Sequence, residues 1–374
     1  MPIIRNPFII NGYISPAYFC DRKAESEILI RQMTNGNNIA LISTRRMGKT
    51  GLIRHCFQSK EIQKIYYTFF VDIYATKSLR EFVFALSKEI IESLKSSGKK
   101  AIQTFWESMK SLQASLTFDF NGNPSFNLGL GDIQSPDATL DEIFHYLEQA
   151  NKPCIVAIDE FQQIMEYPEK GVEGLLRSYI QFTPNVHFIF SGSKKHLMES
   201  IFFSIKRPFY QSTQKLFLAP IPYTPYREFA KKLFDERKKT LQENIFHEIY
   251  QSVKGHTWYM QYLLNRLYSL PQQTPTIELL HTLIQEIIQE EEYTYQTYFQ
   301  FLTSNQIQLL KAIAKEEIVN EINSATFIKK YDLKGASSIN VALKSLINKE
   351  FVLKEQQGYI VYDRFLAIWL KGLV

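Results

Sequence analysis

The sequence predicts an α/β core built on a buried parallel sheet, followed by an all-helical stretch and a terminal module of three helices and a hairpin. Three observations carry that reading. Up to residue 222, apolar runs rich in β-branched and aromatic residues alternate with segments of helical period, the pattern of parallel strands joined by crossover helices. Two of the runs end on residues that carry chemistry: Ile39-Ala40-Leu41-Ile42 leads into Ser43 to Thr50, and Cys154 to Ile158 leads into Asp159-Glu160. Beyond Tyr223 no parallel-strand signal returns.

The elements follow in chain order. Ala24, Ile28, Leu29 and Met33 repeat at helical spacing and predict a helix ahead of the first strand. Residues 50–57 continue as the helix after the loop. The run Ile65 to Asp72 is aromatic, β-branched and ends on an acid, so it reads as a buried parallel strand. From Ser78 to Lys95, Leu79, Phe82, Val83, Leu86, Ile90, Ile91 and Leu94 mark an amphipathic helix. Between 114 and 134 the period changes to two on either side of Asn121-Gly122-Asn123-Pro124, which predicts a β-hairpin, either packed on the sheet as an edge ribbon or projecting towards a partner. A helix at 137–149, the strand before Asp159, a helix at 172–181, the strand Val186 to Ser193 and a short run Lys215 to Leu218 complete the core before Pro220-Ile221-Pro222.

Residues 224 to about 301 read as helices, with Gln289 to Glu292 on a solvated face. Helices at 306–315, 324–330 and 337–349 precede two short strands around Gln356-Gln357-Gly358, the layout of a winged helix. The boundaries expected are therefore 1–222 for the core, 223–302 for a helical lid and 303–374 for the winged helix.

Bulk properties set limits. At 374 residues the chain is long for one core. A net charge of +5 is a small difference between 43 basic and 38 acidic residues, so it permits a polyanion partner without demanding one. Cys20, Cys56 and Cys154 are odd in number and widely spaced, which suggests neither a disulfide framework nor a zinc site. No apolar run of about 18 residues and no secretory leader pattern is visible, so the expectation is a soluble, cytoplasmic chain without membrane contact.

The segment Ser43-Thr44-Arg45-Arg46-Met47-Gly48-Lys49-Thr50, followed by Gly51, sits at a strand-to-helix junction and has the form of a phosphate-binding P-loop. Its backbone N–H groups would curl around a phosphate, Lys49 would reach the terminal phosphates and the Thr50 hydroxyl would join a Mg²⁺ shell. The pattern asks for glycine at position 43 and the chain supplies serine, so the loop is expected to turn there without a glycine's freedom. Asp159-Glu160 has the Walker B form: Asp159 for the Mg²⁺ shell, Glu160 to orient and deprotonate the attacking water. Ser191 and Ser193 end the next strand, where a polar sensor would meet the γ-phosphate, Ser193 being the stronger candidate. For a charge-stabilising cation, Arg45, Arg46, Arg177 and Arg207 all remain open.

These strings, together with Phe19 to Glu25, Asp159-Glu160-Phe161-Gln162, Phe190-Ser191-Gly192-Ser193 and Asp363 to Leu370, resemble the archaeal-type ATPase family within the AAA+ and STAND class of P-loop NTPases. The resemblance implies an AAA+-like ATPase core, a helical lid and a carboxy-terminal winged helix, with Arg22 and Glu25 near the adenine. It also implies an ATP-driven switch that rests with ADP and answers to a partner. The chain departs from the family at Ser43, at Gly255-His256-Thr257 where relatives often carry Gly-x-Pro, and at Gln211-Ser212 where they often place Gly-Arg.

Two functions follow. One is a Mg²⁺-dependent ATPase whose hydrolysis resets a conformational switch, with a protein partner on the lid or winged helix. The other is an ATP-sensing regulator whose winged helix reads DNA. The presumed recognition helix offers Ser337, Ser338, Asn340, Lys344, Asn348 and Lys349 but no arginine, which is thin for phosphate contacts and favours protein contact.

Overall fold

The computed structural model describes residues 6–95, 99–112, 116–118, 124–126, 128–355 and 357–372. They fall into two compact units, one of residues 11–221 and one of residues 6–10 with 222–372.

The first unit runs α1 (Lys23–Thr34), β1 (Ile39–Ile42), α2 (Lys49–Phe57), α3 (Lys60–Ile65), β2 (Tyr67–Asp72), α4 (Leu79–Leu94) and α5 (Lys99–Ser108). It continues with β3 (Leu116–Phe118), β4 (Pro124–Phe126), α6 (Pro136–Glu148), β5 (Cys154–Asp159), α7 (Val172–Gln181), β6 (Val186–Gly192), α8 (Lys195–Phe203) and β7 (Gln214–Phe217). Five strands pair in parallel in the order β2-β5-β6-β1-β7. The period of two along each strand sends side chains to two cores. Ile39, Leu41, Ile155, Ala157 and Ile189 join Leu29, Met33, Leu52 and Ile53 of α1 and α2. Ala40, Ile42, Val156, Ile158, Phe188 and Phe190 join residues of α4, α6, α7 and α8 on the other face. Burying each large apolar side chain contributes about 1.5–3 kcal/mol, so the middle of a strand buried on both faces is kept apolar. That is why the polar residues of interest collect at the strand ends.

The expected hairpin exists as β3 and β4, paired antiparallel from Leu116 with Phe126 to Phe118 with Pro124. It forms a separate two-stranded sheet and not an added edge of the main one. The expected turn at 121–123 lies outside the described residues. Helices α3, α5 and α8 have no counterpart in the sequence expectation.

The second unit contains α9 (Tyr223–Asp235), α10 (Glu243–Ser252), α11 (Thr257–Ser269), α12 (Ile277–Gln300), α13 (Ser304–Glu316), α14 (Ala325–Lys330), α15 (Ala336–Asn348), β8 (Val352–Glu355), β9 (Gly358–Val361) and α16 (Arg364–Gly372). β8 and β9 form the wing, and Val319 bridges Tyr359 beside it. Residues at the amino end pack with this unit: Phe8 is fully buried against Phe229, Phe234 and Tyr268. Asn265 donates to the Phe8 carbonyl at 2.7 Å, while Asn6 donates to the Asn265 carbonyl at 2.8 Å. Burial of one aromatic ring and this amide exchange draw residues 6–10 away from the core with which the sequence groups them. Among the described residues, no helix is long and apolar enough to cross a membrane.

Candidate functional site

Strand order assembles the site. β6 lies between β1 and β5, and β2 flanks β5. The loop after β1, the acids ending β5 and the small residues ending β6 therefore share one edge of the sheet. Ile42 is level with Gly192, and Asp72 with Asp159.

Ser43 continues the ladder, its N–H meeting the Gly192 carbonyl at 3.5 Å. Its φ is not left-handed. The two residues of the loop that adopt positive φ are Arg46 at 66° and Gly48 at 93°. The turn expected at position 43 without a glycine's freedom thus falls elsewhere: the left-handed residues come three and five positions later. Gly48 caps α2 in a conformation that disfavours any Cβ.

Lys49 is 6% exposed. Its Nζ finds only long contacts, to the Ser43 and Thr44 carbonyls at 3.5 and 3.3 Å and the Ser43 Oγ at 3.4 Å. Burial lowers its pKa below the ordinary lysine value, opposed by the charges of Glu160 and Asp159. An ammonium with weak partners, buried beside two carboxylates, is set up to gain from a stronger anionic one. Thr50 donates from Oγ1 to Asp159 Oδ2 at 2.7 Å. This hydroxyl and carboxylate form a hard-oxygen pair of the kind Mg²⁺ takes.

Glu160 leaves the strand in a left-handed conformation, φ 57°, which costs about 1–3 kcal/mol for a residue with a Cβ. Phe161 holds it there. Its ring is fully buried 4.6 Å from Phe190 and 5.4 Å from Phe209, centroid to centroid. The Glu160 carboxylate accepts from Gln162 Nε2 at 2.5 Å and from Ser193 Oγ at 2.6 Å. Of the two serines, Ser193 therefore meets the acid, whereas the buried Ser191 hydroxyl has no partner among the described residues. Gly192 permits the close approach: a Cβ there would stand 2.4 Å from both Gln162 Oε1 and Met198 Sδ.

Two side chains of this edge escape the sequence reading of roles. Gln162 was visible only within the Asp159 to Gln162 string. Asp72 was visible only as the acid ending its strand. Burial raises the Asp72 pKa, the Tyr74 amide donates to it at 2.9 Å and lowers it, and the charges of Asp159 and Glu160 push it up again. Arg22, expected near the base, is buried and donates to the carbonyls of Ala219 at 2.6 Å and Met47 at 3.2 Å, and pairs with Glu25 at 2.7 Å. It ties the start of α1 to the loop. Among the cation candidates, Arg45 lies 5.3 Å from the Tyr74 ring centroid, and Arg207 is bound to both Glu173 oxygens at 3.1 and 3.2 Å. The cysteines are all buried and free. Burial pushes the thiols of Cys56 and Cys154 up to about 12, consistent with inert packing roles.

The chain is similar to known proteins in sequence family and in fold. A family described as an ATPase domain predominantly from Archaea matches residues 19–263, and a probable winged helix domain matches residues 293–372. Among solved structures, a Walker-type ATPase of Pyrococcus abyssi is similar at 18% identity with a TM-score of 0.69, covering 98% of this chain and 99% of the other. The Aeropyrum pernix ORC2 protein, solved as ADPNP and ADP complexes, is similar at 14% identity and a TM-score of 0.58, covering 98% and 96%. The Aeropyrum pernix ORC1 protein in complex with DNA follows at 11% identity and 0.52, also covering 98% and 96%. No curated protein matches the sequence. At such identities the structures speak for the fold alone, a P-loop NTPase core followed by helices and a terminal winged helix. Through the family match over residues 19–263, the chain belongs to the ATPase-domain family found predominantly in Archaea.

Proposed function

We propose that this protein binds ATP and hydrolyses it to ADP and phosphate with Mg²⁺, the cycle driving a conformational switch read by a protein partner. The observation that carries the proposal is the contact between Thr50 and Asp159 at 2.7 Å, made beside Lys49 and within one strand edge of Glu160. A P-loop hydroxyl touching a strand-end carboxylate is what a shared metal shell requires.

The donor set fits Mg²⁺. Among the described residues no group of three or more His, Cys, Asp or Glu could hold a metal by itself, which agrees with an ion bound through one carboxylate, one hydroxyl and substrate phosphates. When bound, Mg²⁺ would supply positive charge that offsets the charge developing on the phosphate oxygens. The remaining roles belong to the chain. Amides of residues 44–51 at the start of α2 donate to the phosphates. Lys49 exchanges its long carbonyl contacts for charge-assisted ones. Glu160 takes the proton of the attacking water, and Ser193 and Gln162 fix its carboxylate. Arg22 holds the Met47 carbonyl and so the shape of the loop.

We further assign residues 223–302 as the lid and 303–374 as the winged helix. The exposed face of α15 presents Ser337, Asn340, Val341, Lys344 and Asn348, with Val341 72% exposed. Lys344 beside an exposed valine, with Lys349 at the helix end donating to the Phe301 carbonyl at 2.7 Å, suits a protein surface better than a phosphate backbone.

Titration with a fluorescent ATP analogue tests the site. Lys49→Ala should weaken binding at least about a hundredfold through loss of a charged partner, while Glu160→Gln keeps it and lowers phosphate release by about 10²–10⁴-fold. Unchanged affinity in the first variant would sink the assignment. Normal binding with no phosphate release in the native protein would favour a nucleotide sensor.

A further inference from the structure

A second site is built into the carboxy-terminal unit. A cavity of about 280 Å³ opens among α10, α12, α13 and α16, near the lower end of the roughly 300–1,000 Å³ usual for small-ligand sites. Its apolar wall is made by Ile284, Ala314, Ala367 and Ile368. Its charged wall is made by Lys254, Glu317, Arg364 and Lys371, with Glu248 and His281 facing each other at 3.7 Å.

The charges are unequally answered. Glu317 pairs with both Lys254 and Lys371, the latter at 2.5 Å. Arg364 has no such partner. One of its terminal nitrogens reaches the Val361 carbonyl at 3.4 Å, and its Nε is buried with no hydrogen-bond partner. No ion pair joins it to a carboxylate among the described residues; Glu355, Asp363 and Glu317 act on it only from beyond contact. Arg364 thus lines the cavity with a single, long hydrogen bond among the described residues. Enclosing a cation with no counter-charge in contact is costly, and a planar donor fork matches a carboxylate or phosphate better than any other group.

We propose that this cavity binds a small organic oxyanion, its carboxylate or phosphate head on Arg364 with Lys254 and Lys371 beside it, and its apolar body against Ile284 and Ile368. The occupant links the turn after α10 to α16, and so couples the helical segment to the winged helix. The site is independent of the nucleotide loop.

Calorimetric titration of the full chain at fixed ionic strength tests the proposal with phenyl phosphate, benzoate and inorganic phosphate. Phenyl phosphate or benzoate should bind at one site per chain, at least tenfold tighter than inorganic phosphate. Arg364→Gln should weaken that binding about tenfold or more, and Lys49→Ala should leave it unchanged. Should Arg364→Gln fail to fold, Lys254→Met and Lys371→Met carry the test, each weakening binding several-fold. Absence of binding, equal affinity for inorganic phosphate, or indifference to all three cation variants would overturn the proposal. So would loss of binding in Lys49→Ala, which would place the ligand in the P-loop.

Discussion

The two sites handle charge in opposite ways. At the strand edge of the first unit, Asp159 is met by Thr50 at 2.7 Å, Glu160 by Ser193 and Gln162, and Arg22 by two carbonyls and Glu25. In the cavity of the second unit, Glu317 serves two lysines while Arg364 keeps unused donors. The difference teaches where a ligand acts. At the strand edge it must exchange with bonds already formed, so each residue there carries both stability and function. In the cavity it adds bonds that nothing now makes, so function can be removed with little structural loss.

The largest effect should come from the packing that holds the strand edge in shape. Phe161→Ala deletes a fully buried ring from the cluster with Phe190, Phe202 and Phe209, at a cost of about 3–5 kcal/mol. Because Phe161 follows the left-handed Glu160 directly, denaturant unfolding and phosphate release should both suffer. Stability loss with normal turnover in the folded fraction would break the claim that the two are joined at this edge.

Next is Gly192→Ala. The new Cβ would lie 2.4 Å from Gln162 Oε1 and Met198 Sδ. Met198 can yield in part, so about 1–3 kcal/mol of destabilisation is expected. Displacing Gln162 removes one of the two groups on the Glu160 carboxylate. Phosphate release per folded molecule should therefore fall as well as the melting temperature; a fall in melting alone would separate packing from chemistry.

Much of this edge was readable in sequence because it is written locally. A strand, a loop and a helix start lie within Ile39 to Thr50, and a buried run ends on Asp159-Glu160 within eight residues. What was not readable depends on register and on packing between distant segments. Asp72 enters only because β2 pairs with β5 level with Asp159. Arg22 turns towards Met47 and Ala219, which lie 25 and 197 residues away. The cavity around Arg364 draws on α10, α12, α13 and α16, whose association no periodicity announces. Ser43 marks the limit of motif reading: a pattern records which residue is usual, whereas the φ angles place the left-handed turn at Arg46 and Gly48.

That correction yields a smaller effect. Ser43→Gly restores the common motif at a position that has no need of it. It also removes the Oγ that donates to the Thr44 carbonyl at 2.9 Å and lies 3.4 Å from Lys49 Nζ. A loss of about 0.5–1 kcal/mol is expected from the added freedom of the unfolded chain, with ATP turnover unchanged within about threefold. A large gain in turnover would mean that Ser43 restrains the loop.

The smallest effect separates the units by pH. In the first unit, burial raises the pKa values of Asp72, Glu89 and Glu173 above the ordinary carboxylate range. Their charged forms oppose folding at neutral pH, and acidification through their raised pKa values relieves that cost. In the second unit, bonds from Lys254 and then Lys371 hold Glu317 down at about 2 from an ordinary 4.5. A depressed carboxylate contributes stability that is complete above its unfolded pKa and fades as pH falls from about 5 towards 2. Glu317 is 43% exposed, so solvent screening limits this contribution to about 1 kcal/mol or less. Hydrogen exchange between about pH 5 and pH 2 should therefore show amides of α13 and α16 losing protection before those of β5 and β6. Glu317→Gln should abolish the Glu317 part of that pH dependence while freeing Lys254 and Lys371 to face the cavity, and an unaltered pH response in the variant would show that the two lysine pairs do not set it.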